Sequence, residues 1–415
     1  EQIKIQYAAK YAGISNAWKK WQGEILGLTR TNAVDKKKKQ EAEFQKRVNA
    51  NPQWKTNYGT LLDDLQAAYK ELEPYGLARD YYLEIAGKIE LLAIASQLNS
   101  LVKEFEKNSD KGYAEQLVKV KEKLDDLYKE YNPEVDRQLF RVLMEMYLKD
   151  QPAEYVADYV KKGWTGYNTH DPGITLLETL CYNISDLAYR DKLYAGNLLS
   201  ADPRQAVNAI KKDSAVLLYI AMLKTYNEKV TPRLNEIQNR INQLQRDYMK
   251  AQMEVMKEKK FYPDANSTLR VTYGHVKGYQ SRDAVKFDYY SYLDGVMEKY
   301  KPGDYEFDIP EKLRELYRQR DYGQYEKKGK MPVCFIAANH TTGGNSGSPA
   351  LDAYGNLIGL NFDRVWEGTM SDINYDPSIC RNIMVDIRYV LFIVDKYAGA
   401  SHLVKEMKLV HPKRK

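Results

Sequence analysis

The sequence predicts an α+β protein, with a large helical domain over residues 1–260 and a β-rich region over residues 261–415 that ends on a helix. Three observations carry this expectation. Apolar residues recur at three- and four-residue steps through the first part of the chain. After Phe261 they give way to short β-branched runs bounded by Gly or Asn. Strands and helices do not alternate, which argues against a parallel doubly wound sheet. A length of 415 residues is room for two or three domains.

In the helical part, residues 58–72, 78–105 and 114–131 carry the helical period, and Asn51-Pro52, Asn132-Pro133 and Gln151-Pro152 punctuate it. Leu234, Ile237, Ile241, Leu244 and Tyr248 form the seam of an antiparallel helix pair or short coiled coil. The repeat is short, so packing within the helical domain is favoured over a dimer interface. Thr231-Pro232 predicts a helix start, with Thr231 as cap and Pro232 in the first turn. Past the change of texture at 261–266, residues 267–273 place Leu269, Val271 and Tyr273 on one face and predict a strand. Residues 331–338 and 356–362 predict buried strands. Residues 350–359 read as a hairpin turning at Tyr354-Gly355-Asn356. Val385-Asp386-Ile387 is strand-like, and residues 391–397 and 402–407 are helix-like. Residues 164–190 fit this layout poorly. There Asp171-Pro172-Gly173 makes a turn and helix entry, and the stretch 171–178 looks like a short motif of phage-baseplate-like proteins.

Composition excludes several classes. The 63 Lys+Arg against 57 Asp+Glu leave a net charge of +6, and only the short runs 36–39 and 257–260 are densely basic, so no nucleic-acid partner is expected. Three Cys without a CxxC pair exclude a disulfide-knotted scaffold and a Cys-rich zinc site. Cys334 reads as a buried free thiol, and Cys181 and Cys380 are too far apart in sequence to be paired on spacing. No His/Asp/Glu cluster has ligand spacing, so neither metal nor cofactor is expected. No run of about 18 apolar residues occurs, so no membrane span is expected.

The sharpest local signal is Thr342-Gly343-Gly344-Asn345-Ser346-Gly347-Ser348-Pro349. A nucleophilic Ser needs an exposed hydroxyl, a bend that presents it and donors aimed at a developing oxyanion. The glycines permit the bend, and the N–H groups of Gly344 and Ser346 can converge on one point. A Gly/Ser/Asn-rich turn between strands is the bland alternative; the strand before it and the hairpin after it favour the nucleophile. The run resembles the Gly-Asp-Ser-Gly-Gly-Pro of chymotrypsin-like serine peptidases, which assigns the nucleophile to Ser346 rather than Ser348. Asn345 replaces an acid that in many animal relatives pairs with a newly cut N-terminus, so activation by that route is not expected. None of the five His, at 170, 275, 340, 402 and 411, sits in a recognisable His-box. His340, six residues before Ser346, is expected to line the site or simply occupy a turn, and His275 to be structural.

Residues 10–16, Trp18-Lys19-Lys20-Trp21, 262–279 and 343–372 resemble the bacterial dipeptidyl peptidase 7 and 11 family, serine exopeptidases of Gram-negative bacteria. The resemblance implies a chymotrypsin-like double β-barrel with an inserted helical domain capping the cleft, residues 261–415 forming the second barrel. It implies a periplasmic or cell-surface location and a homodimer. In that family the catalytic His and Asp precede the helical domain, so the chain reads as the C-terminal part of a longer enzyme, inactive alone. The position of Asp363 binds the substrate's free α-amine, and Phe362 packs nearby. A carboxylate is apt for an ammonium. The position of Arg364 separates the types: Gly accompanies bulky apolar second residues, Arg accompanies Asp or Glu. A guanidinium fork suits a carboxylate, and a buried Arg left unpaired would disfavour neutral side chains. A surface turn pair is the alternative for Asp363 and Arg364.

The expected activity is thus removal of N-terminal dipeptides whose second residue is Asp or Glu. The expected partners are peptides with a free N-terminus. Two alternatives remain: a glutamyl endopeptidase, which shares Gly-Asn-Ser-Gly-Ser-Pro, and a non-catalytic assembly protein, motivated by the missing His and Asp and by residues 171–178.

Overall fold

The computed structural model describes residues 8–164, 178, 181–182, 198–262, 267–304 and 306–410. The Asp171-Pro172-Gly173 turn, His170 and His411 lie outside the described residues, as does nearly all of 164–190. Contacts divide the chain into two compact units, Glu43–Phe261 and Glu1–Ala42 with Tyr262–Lys415. This differs from the expected 1–260 and 261–415: residues 1–42, which include the helix Ala8–Arg30, group with the β-rich unit.

The chain begins with α1 (Ala8–Arg30) and α2 (Ala33–Ala50), followed by α3 (Pro52–Tyr58), α4 (Leu61–Lys88), α5 (Glu90–Glu130) and α6 (Pro133–Asp150). Shorter helices α7 (Asp158–Trp164), α8 (Leu198–Ala201) and α9 (Pro203–Ile210) lead to α10 (Ser214–Thr225) and α11 (Thr231–Val255). Both of these Asn-Pro pairs are helix starts. Asn51 accepts from the N–H groups of Gln53 and Trp54, and Asn132 from those of Glu134 and Val135, each with Pro in the first turn, where its missing N–H costs nothing. The start of α5 is capped from elsewhere: buried Asp136 of α6 accepts the N–H of Glu90 at 2.7 Å and of Leu91 at 2.9 Å, and the Tyr182 hydroxyl at 2.7 Å.

The seam on α11 is buried within its own unit. Ile237 and Ile241 cluster with Ala68 of α4, with Leu72, Tyr75 and Leu244 packed against them. This is the antiparallel helix pair that the period implied. The start of α11 differs from expectation. A π-helical turn, Tyr226–Val230, runs directly into it. Thr231 is already helical and donates its hydroxyl to the Tyr226 carbonyl at 3.1 Å instead of capping, while Pro232 sits in the first turn as expected.

In the β-rich unit, β1 (Tyr279–Arg282) and β2 (Val285–Phe287) form a small antiparallel pair. A five-stranded antiparallel sheet has the order β3-β4-β7-β6-β5, with β3 Tyr290–Tyr292, β4 Pro332–Ala337, β5 Pro349–Leu351, β6 Leu357–Arg364 and β7 Asn382–Asp386. Its core holds Phe335, Ala337 and Met384, with Tyr290, Ala350 and Ile358 against them. The β5–β6 hairpin turns where expected. Gly355 has φ +82°, which a side chain would strain, and the Asp352 carboxylate accepts the N–H groups of Tyr354 and Asn356, each at 2.9 Å.

One expected strand is not formed. Residues 267–273 open on a bend at 267–268 and belong to no described strand, and Leu269, Val271 and Tyr273 are 96%, 83% and 90% exposed. Alternation marks a strand only where a neighbour supplies N–H and C=O partners. In this stretch the Asn339 side chain donates to the Thr272 carbonyl at 3.1 Å, and residues 267–273 join no described strand. Pairing begins at the isolated bridge between Val276 and Ala337, so His275 lies outside the named strands, its carbonyl accepting from Ala338.

The grouping of α1 with this unit has a steric cause. Gly23 and Gly27, one helical turn apart, lie against the 3₁₀ segment Trp366–Asp372. A Cβ on Gly23 would come 2.3 Å from Thr369 Oγ1 and 2.8 Å from the Trp366 carbonyl oxygen, and one on Gly27 2.7 Å from Met370 Sδ. The Trp366 indole donates to the Lys19 carbonyl at 2.8 Å, and Arg30 donates to the Ser281 carbonyl at 2.9 Å. The helix that follows β7, α12 (Ile387–Phe392), is capped by Asp386, which also pairs with Arg388 at 2.6 Å. All three Cys are free, Cys181 and Cys380 buried and Cys334 partly so.

Candidate active site

Residues 338–348 connect β4 to β5, and the local bonding within 342–348 explains how the bend is held. Asn345 donates its N–H to the Thr342 carbonyl at 3.2 Å and accepts the Thr342 N–H on its side-chain oxygen at 3.0 Å. Ser348 donates back to the Asn345 carbonyl at 3.0 Å. Gly344 has φ +100° and Gly347 φ +82°, conformations that L-residues rarely adopt. Thus Asn345 is a local brace of the turn. The N–H groups of Gly344 and Ser346 have no acceptor among the described residues, which leaves both candidate oxyanion donors available. Ser346 is exposed, with Oγ 3.5 Å from the carbonyl oxygen of Phe362.

The loop is tied to β6. Gly347 N–H donates to the Asn361 carbonyl and Asn361 N–H to the Ser348 carbonyl. The buried Asn361 side chain accepts from Asn382 at 2.8 Å and donates to the Asn345 carbonyl at 3.3 Å. Immediately after Asn361, β6 slips register against β7 between Asn361 and Asp363. Such a bulge re-aims side chains. Here consecutive residues Phe362 and Asp363 are both exposed instead of alternating. The Asp363 carboxylate accepts the Arg364 N–H at 2.8 Å.

Arg364 is not the surface turn residue of the alternative reading. It ends β6, and its side chain is only 18% exposed. Nor is it unpaired, as the sequence argument assumed. Asp372 takes it bidentately, with Nη1 to Oδ1 at 3.0 Å and Nη2 to Oδ2 at 2.7 Å, and Nη1 also donates to Ser371 Oγ. Burial pushes the Asp372 carboxyl up, but hydrogen bonds from Arg364 and the Thr342 hydroxyl, with the charges of Arg364 and Lys20, outweigh it and hold the group below the usual carboxylate range. Asp372 is thus the carboxylate that pairs with the arginine at the end of β6.

His340 is engaged elsewhere. Its Nε2 lies 3.1 Å from the Ser371 carbonyl, its Nδ1 3.3 Å from the Tyr262 hydroxyl, and its ring 4.7 Å from that of Tyr375. Both ring nitrogens are occupied away from Ser346, which places the residue as a brace of the Trp366–Asp372 segment. No group of three or more His, Cys, Asp or Glu able to hold a metal occurs among the described residues, and no single described helix is long and apolar enough to cross a membrane.

Ser346, Gly344, Phe362, Asp363 and Arg364 thus fall on one loop and one strand end bonded together. Sequence reasoning missed Asp372, Ser371, Asn361 and Asn382. Only the Gly23/Gly27 spacing on α1 carried a signal that the Trp366–Asp372 segment would be held in place.

The model of the peptidase S46 family matches residues 1–409. The chain belongs to peptidase family S46. Among its S46 relatives, it is 49% identical over 414 residues to an Asp/Glu-specific dipeptidyl-peptidase of Flavobacterium psychrophilum, covering 100% of this chain and 56% of that protein. It is 34% identical over 425 residues to a dipeptidyl-peptidase 7 of Phocaeicola vulgatus, covering 99% and 56%. Among S46 structures, it is similar to Porphyromonas endodontalis DPP11 in complex with the dipeptide Arg-Glu, with a TM-score of 0.77 at 31% identity, covering 97% of this chain and 56% of that one. The chain spans about half the length of the relatives it matches.

Proposed function

We propose that the protein carrying this chain removes dipeptides from peptide N-termini when the second residue is Asp or Glu. The observation that carries the reading is the placement of Arg364 two residues along β6 from Phe362, whose carbonyl lies 3.5 Å from Ser346 Oγ. An acidic side chain and a scissile carbonyl of one substrate residue need a guanidinium and a nucleophile at such neighbouring positions. The names of the 49% relative and of the Arg-Glu complex support it.

Ser346 Oγ attacks the carbonyl carbon of the second residue as its proton passes to a His base. The N–H groups of Gly344 and Ser346 hold the oxyanion. Collapse expels the amine of the third residue with that proton, and water then hydrolyses the acyl-Ser346. Asp363 holds the free α-amine, Phe362 packs beside it and Arg364 takes the acidic side chain. The base and its orienting Asp belong, in this proposal, to the part of the family's length that the chain does not span. So does the completion of a chymotrypsin-like double barrel from the five-stranded sheet. A homodimer in the periplasm or at the cell surface is part of the same proposal.

The test uses the full-length protein and fluorogenic dipeptides ending in Asp, Glu or Leu. Acidic substrates should dominate, Ser346→Ala should abolish turnover, and Arg364→Gly should erase the acidic preference. Dominant Leu cleavage overturns the specificity. Cleavage of N-acetylated peptides ending in Glu would instead identify a glutamyl endopeptidase, and no hydrolysis of any substrate a non-catalytic protein.

A further inference from the structure

We infer that Asp372 is a positioning residue for acidic-substrate recognition: it grips one end of the Arg364 guanidinium and so presents the Nε–Nη2 edge to the substrate carboxylate. The inference rests on the reading of Arg364 as the selector and adds what holds that selector in place.

The geometry distinguishes the two edges of the fork. Asp372 occupies the Nη1–Nη2 end, with Ser371 Oγ also on Nη1. Among the described residues neither Nε nor the second Nη2 hydrogen has an acceptor. A guanidinium offers five N–H donors in one plane, and its Nε–Nη2 edge matches a carboxylate as well as its end does. One carboxylate therefore orients the group, and a different pair of hydrogens remains for a second.

Asp372 is itself fixed from outside the pair. The Thr342 side chain and the Lys20 charge both favour its ionised form; Lys20 in turn lies 3.6 Å from Glu24 on α1. The segment carrying Asp372 is seated on Gly23 and Gly27 of the same helix. An arginine held this way gives up its rotamer freedom before substrate arrives, so less is lost on binding. The clamp also changes why neutral substrates bind less well. A Leu at the second position leaves no uncompensated guanidinium behind, because Asp372 already neutralises it. It forfeits only the bonds to Nε and Nη2. Discrimination then depends on the orientation of that edge, which Asp372 controls.

The experiment measures binding of the dipeptides Arg-Glu and Arg-Leu to full-length wild type, Asp372→Asn and Asp372→Glu by calorimetry, with KM and kcat on the matching fluorogenic substrates. For Asp372→Asn, Arg-Glu affinity should fall about tenfold or more, the worth of one or two charge-assisted bonds. Arg-Leu affinity should stay unchanged, and the kinetic loss should appear in KM and not in kcat. Asp372→Glu, which keeps the charge, should retain most of the preference, and it carries the test if the Asn variant does not fold. Tighter Arg-Glu binding by the Asn variant would make Asp372 a plug that substrate displaces, and overturns the inference. Equal losses for both dipeptides would make its role merely structural, and also overturn it. If wild type shows no preference for Arg-Glu, the reading of Arg364 fails. If wild type prefers Arg-Glu and Asp372→Asn keeps the same ratio, only the positioning role fails.

Discussion

Gly347 and Asn361 hold the serine loop to β6 through their backbones, Gly347 N–H reaching the Asn361 carbonyl at 2.7 Å and Asn361 N–H the Ser348 carbonyl at 2.9 Å. Because β6 continues into Phe362, Asp363 and Arg364, the loop with the candidate nucleophile and the strand end with the candidate binding residues share one frame. Asn361 adds a side-chain link, between the Asn382 amide and the Asn345 carbonyl.

Asn361→Leu should therefore uncouple stability from the backbone tie. Asn382 Oδ1 already lacks a partner among the described residues, and the substitution would strip its Nδ2 as well. Leaving a buried amide unmet costs about 1–3 kcal/mol. Denaturant unfolding should show a loss of that size, and kcat should fall as the loop loosens. Unchanged unfolding with unchanged kcat would mean that the two backbone bonds suffice.

Gly344→Ala tests the oxyanion assignment. A Cβ there meets nothing within 4 Å, so any penalty comes from φ +100° and not from crowding. Holding an L-residue in such a region costs about 1–3 kcal/mol, which favours rotation of the peptide and withdrawal of its N–H. Turnover should fall on the order of 10²-fold, as loss of one oxyanion donor does, with KM little changed. A rise in KM at constant kcat would place Gly344 in substrate binding instead.

Much of this arrangement was legible in the sequence because it is local. The Asn-Pro breaks, the apolar period of α11, the β5–β6 hairpin and the serine loop are each marked by residues within a few positions of one another. Residues 267–273 were misread because alternation records which side chains are apolar, not whether a partner strand lies alongside. Thr231 was misread because a π turn upstream met its neighbours' backbone needs before a cap was required. Asp372 was invisible for a different reason: nothing in Trp366–Asp372 marks it as a partner for Arg364, and their pairing depends on where α1 seats that segment.

Gly23→Leu should act on the site from this distance. Its Cβ would fall 2.8 Å from the Trp366 carbonyl oxygen and 2.3 Å from Thr369 Oγ1, and while a side chain can turn aside, the backbone must shift. Overpacking of this kind costs about 1–3 kcal/mol. The displaced segment carries Ser371 and Asp372, so the acidic preference should weaken with stability, without loss of turnover on Leu substrates. A variant destabilised by this amount but fully selective would show that the Arg364–Asp372 pair moves as a rigid piece.

Acidification offers a test that needs no substitution. The Asp372 carboxyl lies below the usual carboxylate range, since bonds from Arg364 and Thr342 and the charges of Arg364 and Lys20 outweigh burial. A group depressed in the folded state contributes stability above its unfolded pKa, about 3.9 for Asp, and loses it only as pH falls through the lower folded value. A substrate Glu side chain, free in solution at about 4.3, protonates before that. As pH falls from about 5 to about 4, the preference for Glu over Leu should therefore decline while the Arg364–Asp372 pair stays intact. Substrates with Asp should lose their preference at a slightly lower pH than those with Glu. The quantity to follow is the ratio of kcat/KM for acidic and Leu substrates, because titration of the catalytic base affects both alike and cancels. A ratio that stays flat to pH 4 would mean that the acidic side chain is recognised in its neutral form, which a guanidinium edge cannot explain.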